Sequence, residues 1–313
     1  VGSEMCIRDR YIMLDVGNYS CTYNYFGREN SMSPDDHYQD LKRIIQAAGG
    51  KAHRINIIMP SLYGGRQHRR NYRESLDCAV ALQELQSMGV SNILTFDAHD
   101  PRVQNAVPLM GLDNIIPSYQ VLKAMFKNLS DFRPDKDHFM IISPDEGAIN
   151  RNMYYASVLG VNLGMFYKRR DYSTIIDGRN PIVAHEYMGN DVAGKDVFIA
   201  DDIISSGESM LDIAVELKKR KANKIYCYAT YPIFTNGLEA FNKAYADGII
   251  DGVFGTNLTY RTPELLSSPW FYEVDCSKYI AYFIASLNHD KSISQVIDPH
   301  TKIEALLKKY GIK

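Results

Sequence analysis

Apolar residues along this chain follow two alternating periods. Short runs rich in β-branched residues, INIIMP at 55–60 and NILTFDA at 92–98, bracket a segment from Glu74 to Met88 in which Ala79, Leu82 and Leu85 share one helical face. Ahead of them, SMSPDDHYQDLKRIIQAAGG predicts a helix. Ser33 is its N-cap, Pro34 lies in its first turn, Tyr38, Leu41, Ile44, Ile45 and Ala48 form its stripe, and Gly49-Gly50 stops it. After the polar DFRPDKD the pattern restarts with HFMIIS, a helical stretch from Gly147 to Leu159, LGMFYK and DVFIA. A helix from Ser209 to Arg220 follows, with Met210, Ile213, Ala214 and Leu217 on one face, and then KIYCYAT. Buried strands alternating with helices predict parallel sheets joined by right-handed crossovers.

DFRPDKD suits a domain junction. The expected organisation is two α/β domains of similar build, 11–134 and 135–289, followed by a C-terminal helix in 290–313 that could pack back on the first. The opening VGSEMCIRDR has no apolar period and resembles a translated adaptor, so residues 1–10 are set aside as a non-native leader.

Composition narrows the classes. A formal net charge of −2 gives no global attraction to nucleic acid or to an anionic membrane, so an anionic ligand needs a local site. No apolar run approaches the roughly 20 residues that span a bilayer, and no secretory signal is present, which predicts a cytoplasmic protein. Five scattered cysteines, Cys6, Cys21, Cys78, Cys227 and Cys276, have neither metal-ligand spacing nor the even count of a disulfide framework.

The chemistry concentrates in VFIADDIISSGES. Ligands of open parallel sheets sit at the carboxyl ends of strands, where loops feed helix N-termini, and Asp201 and Asp202 are expected there. Ser205, Ser206, Gly207, Glu208 and Ser209 offer backbone N–H groups suited to a phosphate, while the two carboxylates suit sugar hydroxyls or hydrated Mg²⁺. A phosphorylated sugar satisfies both halves of the stretch.

This stretch resembles the phosphoribosyl-binding signature, and with the rest of the chain the resemblance, from about Ser33 to about Pro232, is to the ribose-phosphate diphosphokinases. It implies two phosphoribosyltransferase-like domains, each a mainly parallel sheet flanked by helices. MPSLYGGRQHRR resembles the family's ATP loop, implying that Arg66 and Gln67 hold ATP phosphates and adenine, with Arg69 nearby. TFDAHDPRVQ resembles the segment whose histidine holds the Mg²⁺ of Mg-ATP, here His99. ISPDEGA assigns a metal-side acid to Asp145 and a glycine turn to Gly147, and MFYKRRDYS resembles the catalytic loop, giving Lys168 and Arg170.

The resemblance implies transfer of the diphosphoryl group of ATP to the 1-hydroxyl of ribose 5-phosphate, with Mg²⁺ as cofactor, by a homo-oligomer; the charge balance predicts no nucleic-acid or membrane partner. His68 stands where the family has an aspartate, Ser205 and Ser206 replace an aspartate and a threonine, and Glu208 replaces a glycine. The family's early strands and an acidic-aromatic segment that completes an adenine pocket across a subunit interface are expected upstream of Tyr11. Alternatives are a phosphoribosyltransferase, which leaves Arg66, Gln67 and His99 without a task, and a non-catalytic regulatory homologue, which needs none of His99, Asp145, Lys168 or Arg170.

Overall fold

The computed structural model describes residues 8–170 and 182–312; the side chains at 168–170, 182–185 and 295 fall outside that description. In chain order the first elements are β1 (Arg10–Met13), β2 (Thr22–Tyr25), β3 (Arg28–Ser31), α1 (Pro34–Ala48), β4 (Ile55–Ile58), α2 (Asp77–Ser87), β5 (Val90–Phe96), β6 (Gly111–Ile115) and α3 (Ser118–Asn128). Then come β7 (Phe139–Ser143), α4 (Ile149–Leu159), β8 (Asn162–Arg170), β9 (Ile182–Met188), β10 (Asp196–Ile204), α5 (Glu208–Lys219), β11 (Ile225–Pro232), α6 (Glu239–Ala246) and β12 (Gly252–Thr256). The chain closes with α7 (Pro263–Ser267), β13 (Phe271–Val274), α8 (Ser277–Asn288), α9 (Ser294–Ile297) and α10 (His300–Lys309).

These elements group into two compact units. One comprises residues up to Pro117 with 257–260 and 276–298, the other 118–256, 261–275 and 299 onward. The grouping is discontinuous, whereas the expected division was linear at 134/135. Within the second unit α10 packs on α3, and Phe126 stacks on Tyr310 with centroids 4.5 Å apart.

The first unit holds a parallel sheet of order β1-β4-β5-β6 and an antiparallel β2–β3 hairpin. Arg10 pairs with Ile55, and Asp9 accepts two hydrogen bonds from Arg54 Nε, so the described sheet begins one residue ahead of the expected start at Tyr11. α1 starts as expected: Ser33 accepts from the Asp36 N–H at 3.2 Å, and the Asp36 carboxylate accepts from the Ser33 N–H at 2.8 Å, a reciprocal cap. Its buried face is Tyr38, Leu41 and Ile45, each aliphatic contributing about 1.5–3 kcal/mol. Ile44 is exposed instead. On α2, Cys78, Ala81, Leu82 and Leu85 are buried, and the helix starts at Asp77 rather than Glu74.

The second unit is built on a sheet of order β13-β12-β11-β10-β7-β8-β9, parallel except for the β8–β9 edge pair. β7 and β11 are buried at every position, which explains their unbroken apolar sequence. From β7 the chain winds outward through β8 in one direction and through β10 and β11 in the other. The switch point of the sheet therefore lies between β7 and β10. Under β10, Met210, Ile213, Ala214 and Leu217 of α5 join Phe241 and Trp270 in the core. Among the described residues no helix is long and apolar enough to cross a membrane.

Candidate active site

In the second unit the acidic pair lies inside a strand rather than beyond its end. β10 pairs with β7 only as far as Ile199↔Ile142, but with β11 through Ile203↔Tyr231 and Ile204↔Pro232. Continued one-sided pairing carries the strand past Asp201 and Asp202, and the pleat gives neighbouring residues opposite faces. Asp202 is buried and Asp201 half-buried. Asp201 Oδ1 accepts from the Asp202 N–H at 2.9 Å and lies 3.5 Å from Arg151 Nη1 on α4. Burial, then the Asp202 carboxylate, push the Asp201 carboxyl above the ordinary carboxylate range, while the Arg151 guanidinium pulls it back.

Beyond Ile204 the loop is fixed to the start of the next crossover: the Ile204 carbonyl accepts from the N–H groups of Ile233 and Phe234, and the Ser205 carbonyl from that of Thr235. Gly207 is the N-cap of α5 with φ of +80°, and a Cβ there would lie 2.3 Å from Phe241 Cε2. Only glycine meets both demands. Gly207 supplies no side-chain cap, so the first turn of α5, which starts at Glu208 rather than Ser209, presents its N–H groups to the loop. Glu208 and Ser209 are exposed, Ser205 and Ser206 half-buried.

Asp145 occupies the β7–α4 turn. Its Oδ1 accepts from the Ala148 N–H at 3.2 Å, its carbonyl accepts from Ser143 Oγ at 2.8 Å, and its charge is felt at Asp201. α4 begins at Ile149, two residues after the expected Gly147. Asp145, Arg151 and Asp201 thus come together at the sheet's switch point. Arg151 was missed in the sequence. Its signal is a cation in the first turn of a helix, where the dipole disfavours it. Lys168 and Arg170 continue β8, opposite His185 and Ile182 of β9, and their side chains lie outside the described residues.

In the first unit, the β4–α2 loop is braced at its base. Tyr63 stacks on Tyr38 of α1 at 4.3 Å and 12°, and its hydroxyl donates to Asp35 at 2.7 Å. Gln67 Nε2 donates to the Ser75 carbonyl at 3.0 Å, so its amide ties the middle of the loop to the end that leads into α2, while Arg66 and Arg69 are exposed. His68 Nε2 lies 3.3 Å from Asp100 Oδ2, and the His68 and His99 rings are 5.4 Å apart. Burial lowers the His68 pKa, and the Asp100 carboxylate opposes that. Asp100 is gripped by Arg102 Nε at 2.9 Å, which holds its carboxyl down at about 2.

His99 is exposed at the end of β5. Its turn is held by β6, where the Asn114 carboxamide accepts from the Ala98 N–H at 2.9 Å and the Ile115 carbonyl from the Asp97 N–H at 2.8 Å. His99 and Asp145 belong to different units. Among the described residues no group of three His, Cys, Asp or Glu side chains is poised for a metal.

The β2–β3 hairpin was also passed over in the sequence. Its tip, Phe26-Gly27, has φ of 55° and 72°, Phe26 is 94% exposed and Tyr25 69%, and Glu29 lies on the return strand.

A family model for the N-terminal domain of ribose phosphate pyrophosphokinase matches residues 20–89, which include that hairpin, and one for the phosphoribosyl transferase domain matches residues 112–249. A ribose-phosphate pyrophosphokinase of Shewanella oneidensis is 30% identical over 265 residues, covering 83% of this chain and 78% of the relative. One of Vibrio cholerae is 27% identical over 269 residues, 84% of this chain and 80% of the relative. The crystal structure of phosphoribosylpyrophosphate synthetase from Mycobacterium smegmatis superposes with a TM-score of 0.70 at 17% identity, over 90% of this chain and 99% of that one, a likeness of fold.

Proposed function

The chain belongs to the ribose-phosphate pyrophosphokinase family, and on that premise we propose that it transfers the diphosphoryl group of ATP to the 1-hydroxyl of ribose 5-phosphate, giving 5-phosphoribosyl 1-diphosphate and AMP. The observation that carries this reading is the end of β10: carboxylates at Asp201 and Asp202, then a helix N-terminus whose N-cap, Gly207, offers no side chain, beside the switch point of a parallel sheet. Residues Ser205 to Ser209 hold the 5-phosphate through backbone N–H groups, and Asp201 and Asp202 orient the ribose. Glu208 adds a negative charge beside that anion and so weakens its affinity.

In the first unit Arg66 and Arg69 supply exposed guanidiniums for ATP phosphates, and Gln67 keeps the loop in the shape that presents them. Diphosphoryl transfer asks a protein for positioning and charge compensation, and Lys168 and Arg170 are assigned the second task. Mg²⁺ supplies charge neutralisation on the phosphate oxygens. It prefers hard oxygen donors, so when bound it would be held by the Asp145 carboxylate, and the His99 imidazole would be a weaker nitrogen ligand for it. The exposed Tyr25-Phe26 tip supports a homo-oligomer.

The test is ³¹P NMR of the purified chain with Mg-ATP and ribose 5-phosphate, beside Lys168→Ala. AMP and a sugar-linked diphosphate are expected from the parent alone. A phosphoribosyltransferase would instead consume the sugar diphosphate with a nucleobase.

A further inference from the structure

The crevice between β7 and β10 contains a side chain that the reaction above leaves without a role. The two strands part after Ile142 and Ile199, and one residue further the Ala200 carbonyl accepts from Asn152 Nδ2 at 2.8 Å. A buried carbonyl that has run off its ladder needs such a donor. The same nitrogen reaches the Ala148 carbonyl at 2.9 Å, one turn back on its own helix, and makes a longer contact of 3.4 Å to Ser143 Oγ, whose hydroxyl donates to the Asp145 carbonyl. Asn152 is fully buried, and its Oδ1 accepts no hydrogen bond among the described residues. Its amide therefore acts through its donors.

One nitrogen thus ties together the turn carrying Asp145, the start of α4 and the residue of β10 that precedes Asp201. Arg151, the next residue back, meets Asp201 itself. We propose that Asn152 is a positioning residue that fixes the spacing between the Asp145 turn and the Asp201 end of β10, and so sets the affinity for ribose 5-phosphate. The proposal rests on the site assignment given above.

The variants separate reach from bulk. In Asn152→Leu the volume is kept and the Ala200 carbonyl loses its donor. In Asn152→Ser the hydroxyl still satisfies the carbonyl four residues back but is too short to cross to β10. Steady-state kinetics of the full chain are expected to show the KM for ribose 5-phosphate raised by about tenfold in Asn152→Ser, the size of a single lost polar contact. Bulk misfolding would lower kcat with the folded fraction and leave both KM values in place, and the urea midpoint of each variant measures that fraction. Asn152→Leu risks failing to fold, so Asn152→Ser decides: a KM for ribose 5-phosphate within twofold of the parent overturns the proposal. Hydrogen–deuterium exchange gives a readout free of activity, with faster exchange expected in residues 143–148 and 200–206, and unchanged protection there also overturns it. A parent that turns over no ribose 5-phosphate would refute the function assigned to the chain, while the exchange result would still decide whether Asn152 holds the two segments.

Discussion

Gly207→Ala tests the coupling between the phosphate loop and the core. An L-residue held in the left-handed region costs about 1–2 kcal/mol. The added methyl would also sit 2.3 Å from Phe241 Cε2 and 2.6 Å from Cζ, on a ring that is fully buried and packed against Phe234 and Trp270, so it cannot swing away. Overpacking of this kind costs about 1–3 kcal/mol. Together about 2–5 kcal/mol is expected, a large part of the roughly 5–15 kcal/mol by which folded proteins are stable. The chain has one tryptophan, Trp270, fully buried in the second unit with its centroid 5.6 Å from that of Phe241, so its emission during urea unfolding reports on the clash directly. With a urea dependence of about 2 kcal/mol per molar, the midpoint should fall by roughly 1–2.5 M. Gly147→Ala is the control, since its nearest contact is Asp145 Oδ1 at 3.3 Å and its φ is not left-handed. A loss below about 1 kcal/mol in Gly207→Ala would refute the reasoning.

Other substitutions probe the remaining parts. Arg66→Ala, His99→Ala and Lys168→Ala are each expected to lower turnover by about 10²–10³ with the fold intact, checked by ³¹P assay beside circular dichroism. Turnover within tenfold of the parent for all three would sink the assignment. Arg151→Met removes the cation that opposes the upward shift of Asp201; the carboxylate then forms only at higher pH, and the acid limb of the pH–rate profile should move up. Asp100 has a carboxyl pKa held down at about 2 by Arg102, against an ordinary 3.8, so it contributes stability that is complete above about pH 4 and is lost as pH falls through about 2. Acid unfolding of Arg102→Ala should begin at higher pH than in the parent. Tyr63→Phe keeps the stack on Tyr38 and removes only the hydrogen bond to Asp35, so the KM for ATP should rise a few-fold and that for ribose 5-phosphate should stay.

Period and capping residues made the crossovers readable, from the Ser33 cap to the stripe of α5, because these are local consequences of sequence. The location of Asp201 was not readable, since it depends on β10 staying paired with β11 after leaving β7, a fact of the sheet and not of the strand. Arg151 carried only the weak sign of a cation in a helix's first turn, and Asn152 looks like an ordinary polar position on a helix until the crevice beside it is known. The β2–β3 hairpin was hidden for another reason: TYNY and RENS are exposed at nearly every position and carry no apolar alternation, and a Phe-Gly turn lacks the usual Asn-Gly or Asp-Gly sign.

The discontinuous make-up of the first unit governs how it can be synthesised. Its sheet is complete once Ile115 has been made, yet Tyr279, whose ring packs edge-on to Phe96, and the Leu287 carbonyl and Asp290 carboxylate that take Arg54 all arrive after every strand of the other unit's sheet. At about 5–20 residues per second, the ribosome leaves that sheet without α8 for on the order of ten to forty seconds. During that interval Phe96, fully buried in the finished chain, lacks part of its cover. Chaperone capture should therefore fall in this window, and a fragment ending near Pro117 should aggregate where the full chain does not.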